Sequence, residues 1–202
     1  MKHETPRISA LLLAAGPSSR LGQAKQLVQV GGESLVRRSA RLLLAQNNVS
    51  VTVVVGCESD RISQEISDLP VAIVVNRDWE QGMGGSLSCG VRHLKDDYDG
   101  ILVMACDQWC IEESDITRMI DAWSPDQSTI LVASWSEGQA QVSGPPVIFP
   151  RKFRPDLIAV VKNRGARQVI DRHIDHVQFL PLENAGYDLD RPEDLGRIGH
   201  TE

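Results

Sequence analysis

Cysteine is scarce in this 202-residue chain: Cys57, Cys89, Cys106 and Cys110 form no CxxC pair, and no histidine lies at zinc-finger spacing from them. Neither a disulfide framework nor a structural zinc site organises such a sequence, and reduced, buried thiols are expected. Long hydrophobic runs are missing too. The longest, from Ile8 to Ala15, is broken by Ser9 and is far too short to cross a bilayer. The opening MKHETPR carries an acid and a proline in place of a secretory signal's apolar core and cleavage site. A cytoplasmic protein away from membranes is therefore expected. Positive charge is also in deficit, since 21 Lys and Arg against 27 Asp and Glu leave a net charge of -6. A nucleic-acid-binding surface is set aside on that balance, although a single cationic cleft is not.

The chain is the right length for one domain, expected to run over 1–202, and can bury a substantial core. Short β-branched-rich runs at 8–14, 51–55, 71–75, 101–105 and 129–134 alternate with stretches of helical periodicity at 34–46, 60–67, 86–94 and 114–123. Near-continuous apolar strands alternating with amphipathic helices predict an α/β three-layer α/β/α sandwich around a Rossmann-like, mainly parallel mixed sheet. Ser34, Ser86 and Ser114 or Asp115 are placed to cap three of the helices. Later come a strand at 147–149, short helices near 155–161 and 166–173, a strand at 177–180 and a helix at 192–198. The proline-rich stretch 144–155 reads as an excursion at the sheet edge.

In an open parallel sheet, ligands gather beyond the carboxyl ends of the strands. The first such turn reads LLLAAGPSSRLGQAKQL from Leu11 to Leu27. Gly16 and Gly22 offer positive φ and bare backbone N–H groups. Arg20 brings a planar fork for phosphate, and Lys25 a mobile point charge. Solvated surface cations are the plain alternative. No Lys-Ser/Thr pair follows Gly22, so this is not a P-loop, and Gly82-Met83-Gly84 lacks the last glycine of GxGxxG. Asp107 ends the fourth strand, where it either meets a ligand or caps a turn. Asp188, Asp190, Glu193 and Asp194 gather before the final helix, where carboxylates also serve simply to complement its dipole.

LAAGPSSRLGQAK resembles the LAAGxSxRxGxxK loop of nucleotidyltransferases with a glycosyltransferase-A-like fold, the MobA-like family. MACDQ at 104–108, GMGGSLSCGV at 82–91 and YDLDRPEDL at 187–195 resemble three further family segments in the same order. The closest branch by this resemblance is the molybdenum cofactor cytidylyltransferases, which share the CDQ triplet, a GxPVxFPR-like strand (here 144–151) and a later GAR. Ala15, where guanylyl-transferring relatives carry glycine, resembles the cytidine-using side. Ala105 and Trp109 flank the triplet where that branch often has proline, and 162–167 reads KNRGAR without the usual acid.

The resemblance implies a Mg²⁺-dependent enzyme that moves a nucleoside monophosphate from a nucleoside triphosphate, CTP foremost, to a phosphate-bearing acceptor of molybdopterin type. It implies Arg20 and Lys25 as catalytic cations. Leu13, Ala14, Ala15, Gly16, Lys25, Gly82 and Ser86 would contact the nucleotide, with Asp107 and Asp190 on the metal. Arg164 and Arg167 either bind acceptor phosphate or decorate a helix. Implied partners are the small-molecule substrates and, transiently, a molybdoenzyme or cofactor-delivery protein. Guanylyl or sugar-phosphate nucleotidyl transfer, and a non-catalytic carrier, are the alternatives.

Overall fold

The computed structural model describes residues 5–161 and 164–198; Lys162 and Asn163, part of the acid-less KNRGAR stretch, lie outside them. Among the described residues nine strands form, in chain order: β1 (Ile8–Ala14), β2 (Gln29–Val30), β3 (Glu33–Ser34), β4 (Val49–Val55), β5 (Ala72–Val75), β6 (Gly100–Ala105), β7 (Ile130–Glu137), β8 (Ala140–Pro150) and β9 (Val177–Pro181). The helices are α1 (Leu35–Leu44), α2 (Ser59–Glu65), α3 (Met83–His93), α4 (Glu113–Trp123), α5 (Arg154–Ile158), α6 (Arg167–Arg172) and α7 (Pro192–Ile198).

Seven strands make one sheet in the order β5-β4-β1-β6-β8-β7-β9, and β2 and β3 form a separate small ribbon. Neighbouring strands run parallel except at β8, which is antiparallel to both β6 and β7. Successive residues of a strand face opposite sides of the sheet. Along β1, Ile8, Ala10, Leu12 and Ala14 enter the core shared with α1, α2 and α4, whereas Leu11 enters the core shared with α3, α5 and α6. Each fully buried aliphatic side chain contributes roughly 1.5–3 kcal/mol. The result is the expected three-layer α/β/α sandwich.

The proline-rich stretch departs from expectation. Instead of lying at the sheet edge, residues 144–150 belong to β8, an interior strand between β6 and β7, and 151–155 turn away into α5. Gly144 pairs with Ala133 and Val147 with Val132, so Pro145 and Pro146 bulge out between two ladder positions. A bulge removes the need for the N–H groups that prolines lack. Two caps also differ. Ser34 Oγ accepts from Arg37 N at 3.4 Å as anticipated, but α4 is capped by Glu112 in a reciprocal box with Asp115. The third helix starts three residues before Ser86, at Met83. His173 is half-buried against Phe153, with ring centres 4.8 Å apart. All four cysteines are free, and only Cys106 is fully buried.

Candidate active site

The turn leaving β1 is wired by its own side chains. Ser18, with φ of 54°, takes the left-handed conformation that sequence reading assigned to Gly16; Gly22 takes it too, with φ of 76°. The Ser18 carbonyl accepts from Leu21 N at 3.0 Å and Gly22 N at 3.2 Å, and its hydroxyl accepts from Lys25 N at 3.0 Å. Gln26 is 1% exposed, and its amide donates to the carbonyls of Ala14 at 3.0 Å and Gly16 at 2.8 Å. A glutamine in a polar loop reads as solvated, so nothing in the sequence pattern singled it out. It is the brace that curls the turn back over the strand end.

Three strand-end or loop segments meet around Lys25. Its ammonium donates to Asp107 Oδ2 and, at 3.1 Å, to Asp190 Oδ1. Arg20 Nη2 lies 2.9 Å from Asp190 Oδ2. Side-chain exposure is 17% at Lys25, 14% at Asp107 and 33% at Asp190, against 64% at Arg20. Burial alone would lower the Lys25 pKa, but the charge and hydrogen bond of Asp107 outweigh it and hold the ammonium well above its ordinary range. Breaking such a shielded pair leaves a charge without a partner, whereas the exposed Arg20 pair contributes little.

A small apolar cluster pins these pieces together: Leu21, Leu35, Trp109 and Leu189 are its buried members. Leu21 follows Arg20, Leu189 precedes Asp190, and Trp109 stands two residues after Asp107. Leu189 N also donates to Asp107 O at 2.9 Å. Trp109 therefore anchors the site from behind, edge-on to Tyr187 at 6.1 Å. Asp194 plays the dipole-complementing part, its carboxylate accepting from the backbone of Asp190 at 3.1 Å and Arg191 at 2.9 Å. Burial, then repulsion from Asp107 and Asp190, pushes the Asp188 carboxyl up to about 7, while the residue keeps an exposed edge.

A cleft of about 500 Å³ opens above these groups. It is lined by Leu13, Ala14, Ala15, Gly16, Arg20, Lys25, Gly82, Ser86 and Asp107 together with Gln26, Trp79 and Met83, among others. Of the residues anticipated for nucleotide and metal, Asp190 alone does not line the cleft and reaches it through Arg20 and Lys25. Ser86 sits inside α3, where its hydroxyl accepts from Asn76 Nδ2 at 3.0 Å. Trp79 walls the cleft because Gly56 has no side chain; a Cβ there would lie 2.6 Å from Trp79 Cβ and 2.8 Å from Ala15 O. Arg164 and Arg167 fall outside, in a neighbouring cavity.

The donor set suits a small hard cation. Two carboxylates, Asp107 and Asp190, already converge on one positive centre, the Lys25 ammonium. No cluster of three or more His, Cys, Asp or Glu side chains fit to hold a metal occurs among the described residues. Mg²⁺ and similar ions are commonly held by one or two carboxylates plus substrate phosphates and water. No helix among the described residues is long and apolar enough to cross a membrane.

A family model described as a MobA-like NTP transferase domain matches residues 10–177. The chain is 28% identical over 202 residues to the nicotine blue oxidoreductase of Paenarthrobacter nicotinovorans, an alignment covering 96% of this chain and 98% of that one. It is 23% identical over 199 residues to a probable molybdenum cofactor guanylyltransferase of Trichormus variabilis, covering 95% and 90%. Among solved structures, the Rv0371c homologue of Mycobacterium sp. strain JC1 superposes with a TM-score of 0.81 at 23% identity, covering 97% and 98%. Rv0371c of Mycobacterium tuberculosis, in complex with manganese, gives 0.76 at 19% identity, covering 97% and 100%.

Proposed function

Because the chain belongs to the family of MobA-like NTP transferase domains, and so is a nucleotidyltransferase, we propose that it transfers a nucleoside monophosphate from CTP to the phosphate of a molybdopterin-type acceptor. The observation that carries the reaction type is the convergence of Lys25, Arg20, Asp107 and Asp190 at the mouth of one cleft. CTP is favoured by Ala15 in the loop, and the acceptor by the sequence likeness of the CDQ and GAR segments.

Displacement at an α-phosphorus joins two anions, so positioning and charge neutralisation set the barrier. Gly16 leaves the strand end bare, and the loop braced by Gln26 presents backbone to the triphosphate. Lys25 and Arg20 offset charge on the triphosphate and on the departing pyrophosphate. Asp107 and Asp190 are the residues that would hold Mg²⁺, which when bound neutralises phosphate charge; manganese in the Mycobacterium tuberculosis relative supports a divalent ion at such a site. With Mg²⁺ held by the carboxylates, the Lys25 ammonium would be available to phosphate. No protein nucleophile is needed, since an acceptor phosphate is already ionised at neutral pH.

The test is pyrophosphate release by purified protein given each nucleoside triphosphate, Mg²⁺ or Mn²⁺, and candidate acceptors. Release that needs metal and is fastest with CTP and molybdopterin supports the proposal. Fastest release with GTP moves the assignment to guanylyl transfer, as in the name of the Trichormus relative. Tight nucleotide binding with no turnover for any pair supports a carrier and contradicts the proposal.

A further inference from the structure

Gln26 turns inward from a polar loop, is 1% exposed, and borders the nucleotide cleft. Its amide nitrogen donates to the carbonyls of Ala14 at 3.0 Å and Gly16 at 2.8 Å, which uses both of its hydrogens. The carbonyl between them, that of Ala15, accepts from Cys57 N at 3.1 Å. Successive carbonyls leaving β1 are thus each tied to a donor, and all of these alanine and glycine residues line the cleft. The amide oxygen of Gln26 accepts from the Ser18 hydroxyl at 3.3 Å, and that hydroxyl accepts from Lys25 N at 3.0 Å. Ser18 keeps its left-handed φ of 54° inside this circuit, as a strained residue does where its surroundings over-determine it.

Resting on the nucleotidyl transfer proposed above, we infer that Gln26 is a positioning residue for the triphosphate. Its amide holds two carbonyl dipoles out of the cleft, and through Ser18 it fixes the backbone of Lys25. A trans peptide sets its N–H opposite its C=O, and the only cis bond among the described residues is Pro145-Pro146. With the carbonyls of Ala14 and Ala15 held by Gln26 and Cys57, the N–H groups of Ala15 and Gly16 face the other way. A polyanion entering the turn meets the positive ends of those peptides, not oxygens that would repel it. The peptide after Gly16 has no N–H, because Pro17 follows. Its carbonyl could offer phosphate only repulsion, and it takes the shorter of the two Gln26 bonds.

A buried amide that merely closes a loop is the plain alternative, and chemistry at position 26 separates the two. Methionine would fill similar space and leave both carbonyls without a donor. An ionised glutamate would add a third negative oxygen to the pair, whereas its protonated form keeps one O–H to donate. Burial among carbonyls disfavours the carboxylate, so the donating form gains as pH falls. Arg20, Lys25, Asp107, Asp188 and Asp190, the charged groups gathered around the turn, are shared by variant and parent. The ratio of the two affinities at each pH therefore cancels their titration.

Isothermal titration of the full-length chain with inorganic tripolyphosphate and Mg²⁺ at pH 6 and pH 9, beside melting temperatures, reads that ratio. Gln26→Glu is expected to bind about tenfold more weakly than the parent at pH 9 and within about threefold of it at pH 6. Gln26→Met should lose about tenfold at both, and Ser18→Ala about threefold. The KM for nucleoside triphosphate should follow the same order. A lowered melting temperature with parent-like affinity in Gln26→Met, a loss in Gln26→Glu that does not shrink at pH 6, or no tripolyphosphate binding by the parent each overturns the inference. Should Gln26→Glu not fold, Gln26→Met and Ser18→Ala decide, loss in both supporting the inference and parent-like affinity in either overturning it. Should the variants behave as expected while the parent releases pyrophosphate from no nucleoside triphosphate, the Gln26 assignment stands and nucleotidyl transfer falls instead.

Discussion

Around the nucleotide cleft, four charged side chains from three chain segments hold one another, with Lys25 shared between Asp107 and Asp190 and Arg20 on the far oxygen. Across Met83, the adjoining cavity is walled by aliphatic residues of the sheet and α6, with Arg164 and Arg167 in its lining. The cleft is built to place charge and the cavity to place shape. Charge placed in a shielded site acts on the barrier of a reaction between anions, whereas shape selects what enters. Substitutions on the two sides should therefore separate, the first set reading out in kcat and the second in KM.

The largest separation is expected at Asp107. Asp107→Asn should lower kcat by 10³ or more through loss of the oxygen proposed to hold the metal, on the scale of about 4 kcal/mol; initial rates of pyrophosphate release at saturating substrates measure it. Lys25→Ala comes next, with a fall of roughly 10²–10³ in kcat, or about 3–4 kcal/mol. It should also lower the melting temperature of the metal-free protein, because Asp107 and Asp190 lose the cation between them.

A stability change that spares both hollows makes the control. Gly90 on α3 faces β1 and β4, where a Cβ would lie 2.6 Å from Leu11 Cδ1 and Val54 Cγ2. Gly90→Ala should destabilise by about 1–3 kcal/mol without changing either specificity, read from a denaturant titration beside the kinetics. Arg20→Ala is expected to cost about tenfold in kcat, near 1.4 kcal/mol, less than Lys25 because its guanidinium is mostly in water.

The smallest effect is one of pH. In the metal-free protein, the Asp188 carboxyl holds its proton up to about 7, against 3.8 ordinarily. The folded chain then binds more protons than the unfolded chain across that window, so stability falls as pH rises through it. Divalent-ion affinity should climb over the same interval. Asp188→Asn should flatten both trends, as melting curves and metal titrations between pH 5 and pH 8 will register. Water at the exposed edge of Asp188 screens part of the repulsion, which keeps the effect modest.

The first half of the fold was legible because its periodicities are strong: β1 runs over Ile8–Ala14 as its apolar run predicts, and the helices follow their apolar spacing. The second half was less so. Pro145 and Pro146 argue against an interior strand unless a bulge is known, and a register shift between Val132 and Ala133 is not written in composition. Within the site, Arg20, Lys25 and Asp107 stood out because charged residues beyond a strand's carboxyl end demand a reason, and Asp190 only through the resemblance of its segment. Their supports did not. Gln26, Trp79 and the Leu21–Trp109–Leu189 cluster act through contacts distant in sequence. The second cavity was invisible for the same reason, since Val103, Val147 and Ile170 read only as core.

The most direct measurement is a crystal structure of the protein with CTP and Mn²⁺, located by anomalous scattering. The expected result is Mn²⁺ against Asp107 and the phosphates, with the Lys25 ammonium moved from the carboxylates onto phosphate oxygen. Nucleotide bound elsewhere, with Lys25 still bridging Asp107 and Asp190 and no metal beside them, would contradict it.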